Sequence, residues 1–503
     1  MAFIDSTVVN IALPALQSSF GASVVSVQWV IEAYGLTLAA LILVGGSMGD
    51  RFGRRRMFLL GVAAFTIASI ACGLAASIDQ LIAARALQGI GAAFLVPGSL
   101  ALISASFDES KRGRAIGTWS GWTAITTATG PVLGGWLIQH LSWRWAFLIN
   151  VPLALAVFAL SFWCVPESSS GKRRPIDWWG AIMVVLSLTG LVFAFVESSR
   201  LGWRNPFVLA GLLTGIGGLC IFQRIEAGVD SPMVPLTLFQ SRAFGGANLL
   251  TLFLYAAVGI FFFVFPLDLI QVQGYSASEA GAAVLPFILL MFLLSRWSGG
   301  LVARHGARLP LMIGPVIAAF GFVLFSIPSV GGGYWRTFFP AVVILGLGMA
   351  VSVAPLTTVV MEAVDQDHVG TASGINNAVA RAAGLLAVAV FGVVMVAGFS
   401  RELNHQLAGL RIPADVRAEL QANETRLAAL TPPPDIEPVA ASAIESSILV
   451  AFVFGFRIVT WICAALALCS SLAAWRTTPT ARDWLVTPEI GSTARSSVRA
   501  QTD

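Results

Sequence analysis

The chain has 503 residues, of which 57% are hydrophobic and 11% charged, with a formal net charge of +4 and a mean hydropathy of +0.82. So little polar surface cannot clothe a soluble domain of this size, and so small a net charge speaks to topology rather than to a nucleic-acid partner, of which none is expected. The chain belongs in a lipid bilayer, as an all-α polytopic membrane protein.

A span needs about 20 apolar residues, and fourteen such stretches occur, at 1–20, 28–49, 57–77, 81–105, 115–138, 146–165, 178–197, 206–223, 245–266, 280–298, 309–328, 337–361, 375–399 and 447–475. The first carries Asp5 and Asn10 on one apolar helix, and a charged Asp near mid-membrane costs about 2.5–3.5 kcal/mol, so such a residue is usually functional. Met1 to Ile4 enter this segment without a basic region ahead of it, so no cleavable signal peptide is expected; either the first span starts insertion or residues precede it. The second span holds Glu32 well inside.

Between the second and third spans lies Gly46-Ser47-Met48-Gly49-Asp50-Arg51-Phe52-Gly53-Arg54-Arg55-Arg56. Basic density of this kind is drawn to the inner face and fixes orientation. Its Asp and Arg residues suggest a latch, with Asp50 pairing a helix N-terminus and cytoplasmic arginines such as Arg114. In the fourth span Arg85 sits where lipid would not tolerate it, followed by Gln88, Gly89 and Gly91; it either snorkels to the outer interface or is buried among helices. The fifth span combines Gly121, Gly130-Pro131 and Gly134-Gly135, which reads as a packing kink or as a hinge and tight seal between halves.

Six spans thus run to about residue 165, and six more begin near 245. The polar stretch Glu167 to Pro175 separates the first six from two spans that look like an insertion. Gly299 to Arg308 repeats the first basic loop, with Ala303 in place of Asp50, and repeated halves around a central site are a transporter design. The expected organisation is a six-helix bundle over 1–170, two inserted helices with their loops over 171–242, a second six-helix bundle over 243–476, and a disordered tail over 477–503. Residues 401–446, inside the second bundle, read as a short amphipathic helix and a stiff Pro432-Pro433-Pro434 linker, more plausibly inert than a partner surface.

Of the 30 basic residues, 18 fall on the side shared by the termini, so both termini are expected in the cytoplasm. The five cysteines lie in spans without metal-ligand spacing, and the four histidines lie in loops or at helix ends. Neither a metal nor a histidine relay is expected. Arg outnumbers Lys 28 to 2, which hints at a GC-rich bacterial source and hence a bacterial inner (plasma) membrane.

Together these segments resemble the major facilitator superfamily, and within it the fourteen-span drug:proton antiporters. Gly46 to Arg56 is similar to the family's cytoplasmic motif, Arg85 to Ala93 to its fourth-span motif, and Gly130-Pro131 with Gly134-Gly135 to its antiporter motif. Asp5 to Pro14, Trp143 to Pro152, Gln273 to Ser276 and Gly370 to Asn377 are similar to the fourteen-span branch. The resemblance implies alternating access, two six-helix bundles with two helices between them, no enzymatic activity and no cofactor beyond a proton gradient. It implies proton coupling and substrate binding at Asp5, Asn10, Glu32 and Arg85, a conformational latch at Gly46, Asp50, Arg51, Gly53, Arg54, Arg55 and Arg114, and a hinge at Gly121, Gly130, Pro131, Gly134 and Gly135. With only four residues before it, Asp5 is expected within about 1.5 Å per residue of the helix start, so Glu32 ranks above it as the carboxylate that recognises a cation, with Arg85 as a tuner of the proton site. The expected partners are a small lipophilic, cationic substrate, protons and the bilayer, with room for a periplasmic adaptor. The alternatives are a dedicated exporter of one endogenous metabolite or antibiotic and, remotely, a non-transporting receptor or scaffold. ATP drive is excluded, since Gly171-Lys172 lacks the Walker spacing.

Overall fold

The computed structural model describes residues 1–106, 122, 126, 129–168, 177–229, 232–331, 333–364, 369–410, 412–433 and 436–478. All regular structure among them is helical. The first group comprises α1 (Ala2–Phe20), α2 (Val24–Phe52), α3 (Arg54–Leu74), α4 (Ile78–Ser106), α5 (residues 129–140), the short α6 (Trp145–Leu148) and α7 (Asn150–Cys164). A pair, α8 (Trp178–Leu201) and α9 (Pro206–Gly228), follows. The last group is α10 (Arg242–Leu267), α11 (Ala277–Ala283), α12 (Leu285–His305), α13 (Arg308–Phe325), α14 (Phe338–Glu362), α15 (Val369–Ala408), α16 (Ala414–Ala422) and α17 (Pro438–Thr477).

Twelve helical segments among the described residues are long and apolar enough to cross a membrane. They correspond to twelve of the fourteen expected spans. The first expected span is the helix α1, whose Asp5, Asn10, Gln17 and four hydroxyl residues dilute its apolar character; the fifth falls largely outside the described residues, and only its end is seen as α5. The tail from residue 479 also lies outside them.

The two groups each pack as a bundle, α2 and α3 on α4 in the first, and α10, α13 and α15 around α17 in the second. They meet where α2 lies on α15 and α1 on α10. The pair α8–α9 is fastened to this seam: Leu188, Val192 and Val196 of α8 share a core with Val25, Leu36, Ala39 and Ala40 of α2 and with Leu385 and Ala389 of α15. Trp29 Nε1 of α2 also donates to Glu197 Oε1 of α8 at 2.9 Å.

The internal repeat is visible in the way helices end. Both α2 and α12 stop on a left-handed glycine, Gly53 at φ 106° and Gly306 at φ 74°, a conformation open to glycine at little cost. Just beyond each, an arginine donates to a carbonyl at the end of the last helix of its own group: Arg55 Nη1 to Val165 O at 2.9 Å, and Arg308 Nη2 to Trp475 O at 2.7 Å. The cation sits at the negative end of the helix dipole in both copies.

At the opposite end of the bundle the short helix expected within residues 401–446 is present as Ala414–Ala422. Helices α15 and α17 contain 40 residues each, about 60 Å at 1.5 Å per residue and twice the thickness of the hydrocarbon core. They therefore project, and the chain between them folds back as α16 and a 3₁₀ turn, Glu424–Ala429. Leu427 in that turn is fully buried and holds a left-handed backbone at φ 50°, which packing must stabilise.

Candidate functional site

Asp5 is completely buried, although only four residues precede it, and its carboxylate is fully furnished with donors. Arg85 Nη1 of α4 reaches Oδ2 at 2.6 Å, while Gln88 Nε2 of α4 and Asn150 Nδ2 of α7 reach Oδ1 at 2.8 and 3.0 Å. Arg85 and Gln88 lie three residues apart on one helix face, which lets both reach one carboxylate. Ser69 Oγ of α3 accepts from Gln88 at 2.7 Å and from Asn150 at 3.2 Å.

The guanidinium is equally enclosed. Arg85 is 1% exposed, which removes the snorkelling alternative. It donates Nε–H to Val30 O at 3.0 Å and Nη1 to Gln88 Oε1 at 2.6 Å, and the Tyr34 ring lies 4.2 Å from its carbon centre. One ion pair therefore joins α1, α2, α3, α4 and α7, and breaking it from one side costs about 3–5 kcal/mol because an uncompensated charge stays behind.

Glu32 is also 0% exposed, but among the described residues neither carboxylate oxygen has a hydrogen-bond partner. It lies one helical turn from Gln28, whose Nε2 donates to Val388 O of α15 at 3.3 Å, and one turn from Leu36 in the core shared with α8 and α15. Tyr34, two residues on and therefore on another face of α2, is the one that meets Arg85. Of the two candidate carboxylates, Arg85 pairs with Asp5. Asn10 is half-buried on α1 and does not join the Asp5 network.

In the basic loop, the Asp50 side chain, Arg114 and Gly121 lie outside the described residues. What the described residues show is a clasp centred on Glu167, which the sequence offered only as part of a linker. Its Oε1 and Oε2 accept from the backbone N–H groups of Arg55 and Arg56 at 3.0 and 3.1 Å, capping the start of α3, and Arg54 N donates to Ser168 O at 2.9 Å. Gly53 is buried against Glu167; Gly46 is half-buried in α2, and Arg51 is exposed with its guanidinium 5.3 Å from the Phe52 ring.

The described glycines of the fifth span seat α5 on α1 and, through Gly135, on the second group at the loop end. Gly130 and Gly134 lie against Thr7 and Val8 of α1, while a Cβ on Gly135 would land on the Ala277 carbonyl and 2.7 Å from Ser278 Cα of α11. Reciprocally, a Cβ on Gly281 of α11 would land on the carbonyl of Pro131. Beside this joint, Gln17 Nε2 of α1 donates to Arg426 O in the 3₁₀ turn at 2.9 Å, and Gln271 Nε2 donates to Gln17 Oε1 at 2.8 Å. A cavity of ≈ 530 Å³ opens here among Pro14, Gln17, Ile138, Gln271, Ala277 and Arg426.

Comparison with known proteins agrees with this architecture. The family model described as Major Facilitator Superfamily matches residues 1–195 and 176–388. The chain is 34% identical over 498 residues to the multidrug resistance protein Stp of Mycobacterium tuberculosis, covering 95% of this chain and 90% of that one. It is 30% identical to the tetracenomycin C resistance and export protein of Streptomyces glaucescens, with 94% and 88% covered. It is 29% identical to the methyl viologen resistance protein SmvA of Salmonella typhimurium, with 94% of each covered. Among solved structures, a bacterial homologue of the human lysosomal transporter Spinster, inward-facing and unoccupied, superposes with a TM-score of 0.61 at 18% identity, covering 95% of this chain and 96% of its own. A D-xylose–proton symporter gives 0.60 at 14% identity, with 95% of each covered.

Proposed function

The chain belongs to the major facilitator superfamily, and from that premise we propose that it is a proton-driven exporter of small lipophilic compounds, cations above all, working by alternating access. The observation that carries this reading is the contrast between two buried carboxylates. Asp5 is neutralised by Arg85, whereas Glu32, at the seam between the two groups, has neither cation nor donor. A cationic substrate or a proton can satisfy Glu32, and competition between them couples the two fluxes.

Fourteen spans complete the proposal, α1 and the segment ending in α5 being added to the twelve, with two six-helix bundles flanking the pair α8–α9. Both termini then face the cytoplasm, so that the glycine joint and the folded-back turn close the outer side of a bacterial plasma membrane. Multidrug resistance in the name of the Stp relative supports a broad substrate range. The export of a single antibiotic is the second reading, favoured by the tetracenomycin C relative. No reaction is catalysed under either reading, and no cofactor beyond the gradient is needed.

The test is efflux of a panel of lipophilic dyes from everted vesicles, with and without a proton gradient. Gradient-driven movement of several unrelated cationic dyes is expected. Movement that ignores the gradient would remove proton coupling, and a response to one compound alone would select the single-substrate reading.

A further inference from the structure

The second group contains a buried carboxylate that none of the motifs includes. Asp268 follows α10 directly, in a single π-helical turn, Asp268–Val272. Such turns distort the helix ladder and recur at functional sites. Asp268 is 1% exposed, and its Oδ2 has no hydrogen-bond partner; the Gln273 side chain bonds the carboxyl group.

No cation balances it among the described residues. The turn packs against α10, α11, α17 and the 3₁₀ turn 424–429. From these and the adjoining loop, the ionisable groups are Tyr275, whose field includes Asp268 and Glu279; Glu279, held in the Ser276 capping box; Glu424, bonded to Asn404; Arg426; Arg457, whose Nη2 donates to Pro328 O at 3.2 Å; Glu445, exposed on α17; and, further along the helices, Arg242 and Tyr255 of α10 and Cys463, Cys469 and Arg476 of α17. None forms an ion pair with Asp268. A carboxylate ion here would lack a counter-charge, whereas the neutral acid needs none.

The same π turn carries Gln271, whose bond to Gln17 is one of the few polar links between the two groups at the loop end. Parting of the groups at that end would break this bond and bring water to the turn, and closure would seal it again. Asp268 is thus a carboxyl group whose access to one side is governed by the joint beside it.

We propose that Asp268 is a proton-binding residue of the transport cycle, loaded from the outer solution when the Gln17–Gln271 joint opens and carried into the closed state as the neutral acid. The proton forms an O–H bond on one carboxyl oxygen and leaves from the same oxygen on the inner-facing side of the cycle, so charge balances without a further reactant. This inference rests on the proton-driven reading above.

Reconstituted full-length protein in liposomes tests it, with two assays on one preparation: dye transport driven by a pH gradient, and dye exchange with no gradient. For Asp268→Asn, gradient-driven transport is expected to fall by about tenfold or more while exchange persists, since the amide keeps the shape of the neutral acid but binds no proton. Asp268→Glu is expected to restore coupling with a displaced pH profile. Wild-type protein that ignores the gradient would defeat the proton-driven reading itself. A coupled wild type with Asp268→Asn equally coupled would overturn the role of Asp268 alone, as would loss of exchange together with coupling in both variants.

Discussion

Asp5 and Glu32 have the same chemistry and opposite surroundings. Asp5 has three donors, one of them the Arg85 cation, and Glu32 has none among the described residues. Removing Arg85 leaves Asp5 charged and unpaired, so Arg85→Ala is expected to lower thermal stability in detergent by about 3–5 kcal/mol, and adding Asp5→Asn to recover part of the loss. An unchanged melting curve for Arg85→Ala would show that the pair does not support the bundle. Glu32→Gln is expected to weaken export of a cationic dye far more than of a matched neutral one, measured in cells at equal expression; equal losses would assign Glu32 to general coupling instead. The sequence made Asp5 and Arg85 legible because charges are rare in apolar helices. It did not mark Gln88, Asn150 or Ser69 as their partners, since amides and hydroxyls are common in spans, although Gln88 three residues after Arg85 was a usable signal. Asp268 escaped notice because it closes an apolar run and looks like the start of a loop.

At the scale of elements, hydropathy located the spans well, and the repeated basic loops correctly announced matching helix ends. What it could not reveal was the continuation of α15 and α17 past the bilayer, because hydropathy stops reporting where a helix leaves lipid. Nor could it show the chain between them packing down through Leu427. The clasp at Glu167 was equally hidden, since it joins segments more than a hundred residues apart. The joint between α5 and α11 is one of the element contacts exposed to mutation: a side chain on Gly281 meets the Pro131 carbonyl, a contact that backbone cannot yield. Gly281→Val is therefore expected to hold the loop end open. Labelling of a cysteine introduced at Ala429, which lines the neighbouring cavity, should then rise several-fold over the same cysteine in the parent; unchanged labelling would show that the joint does not control access.

For the whole molecule, the positive-inside argument makes a prediction independent of transport. In a background without the native cysteines, Ala422→Cys in α16 is expected to react with an impermeant thiol reagent in intact cells, and Arg56→Cys only in everted vesicles; both positions are exposed. The reverse pattern would invert the protein. The pair α8–α9 adds a mechanical constraint, since it is bonded to α2 through Trp29 and Glu197 but meets α15 through an apolar core. The α5–α11 joint has a consequence of another kind. Because it presses bare backbone on bare backbone, it carries no side-chain code that a partner half must match. An N-terminal half from this protein should close on a C-terminal half from a relative that keeps glycine at the same places, so genetic exchange can shuffle halves between transporters without refitting the joint.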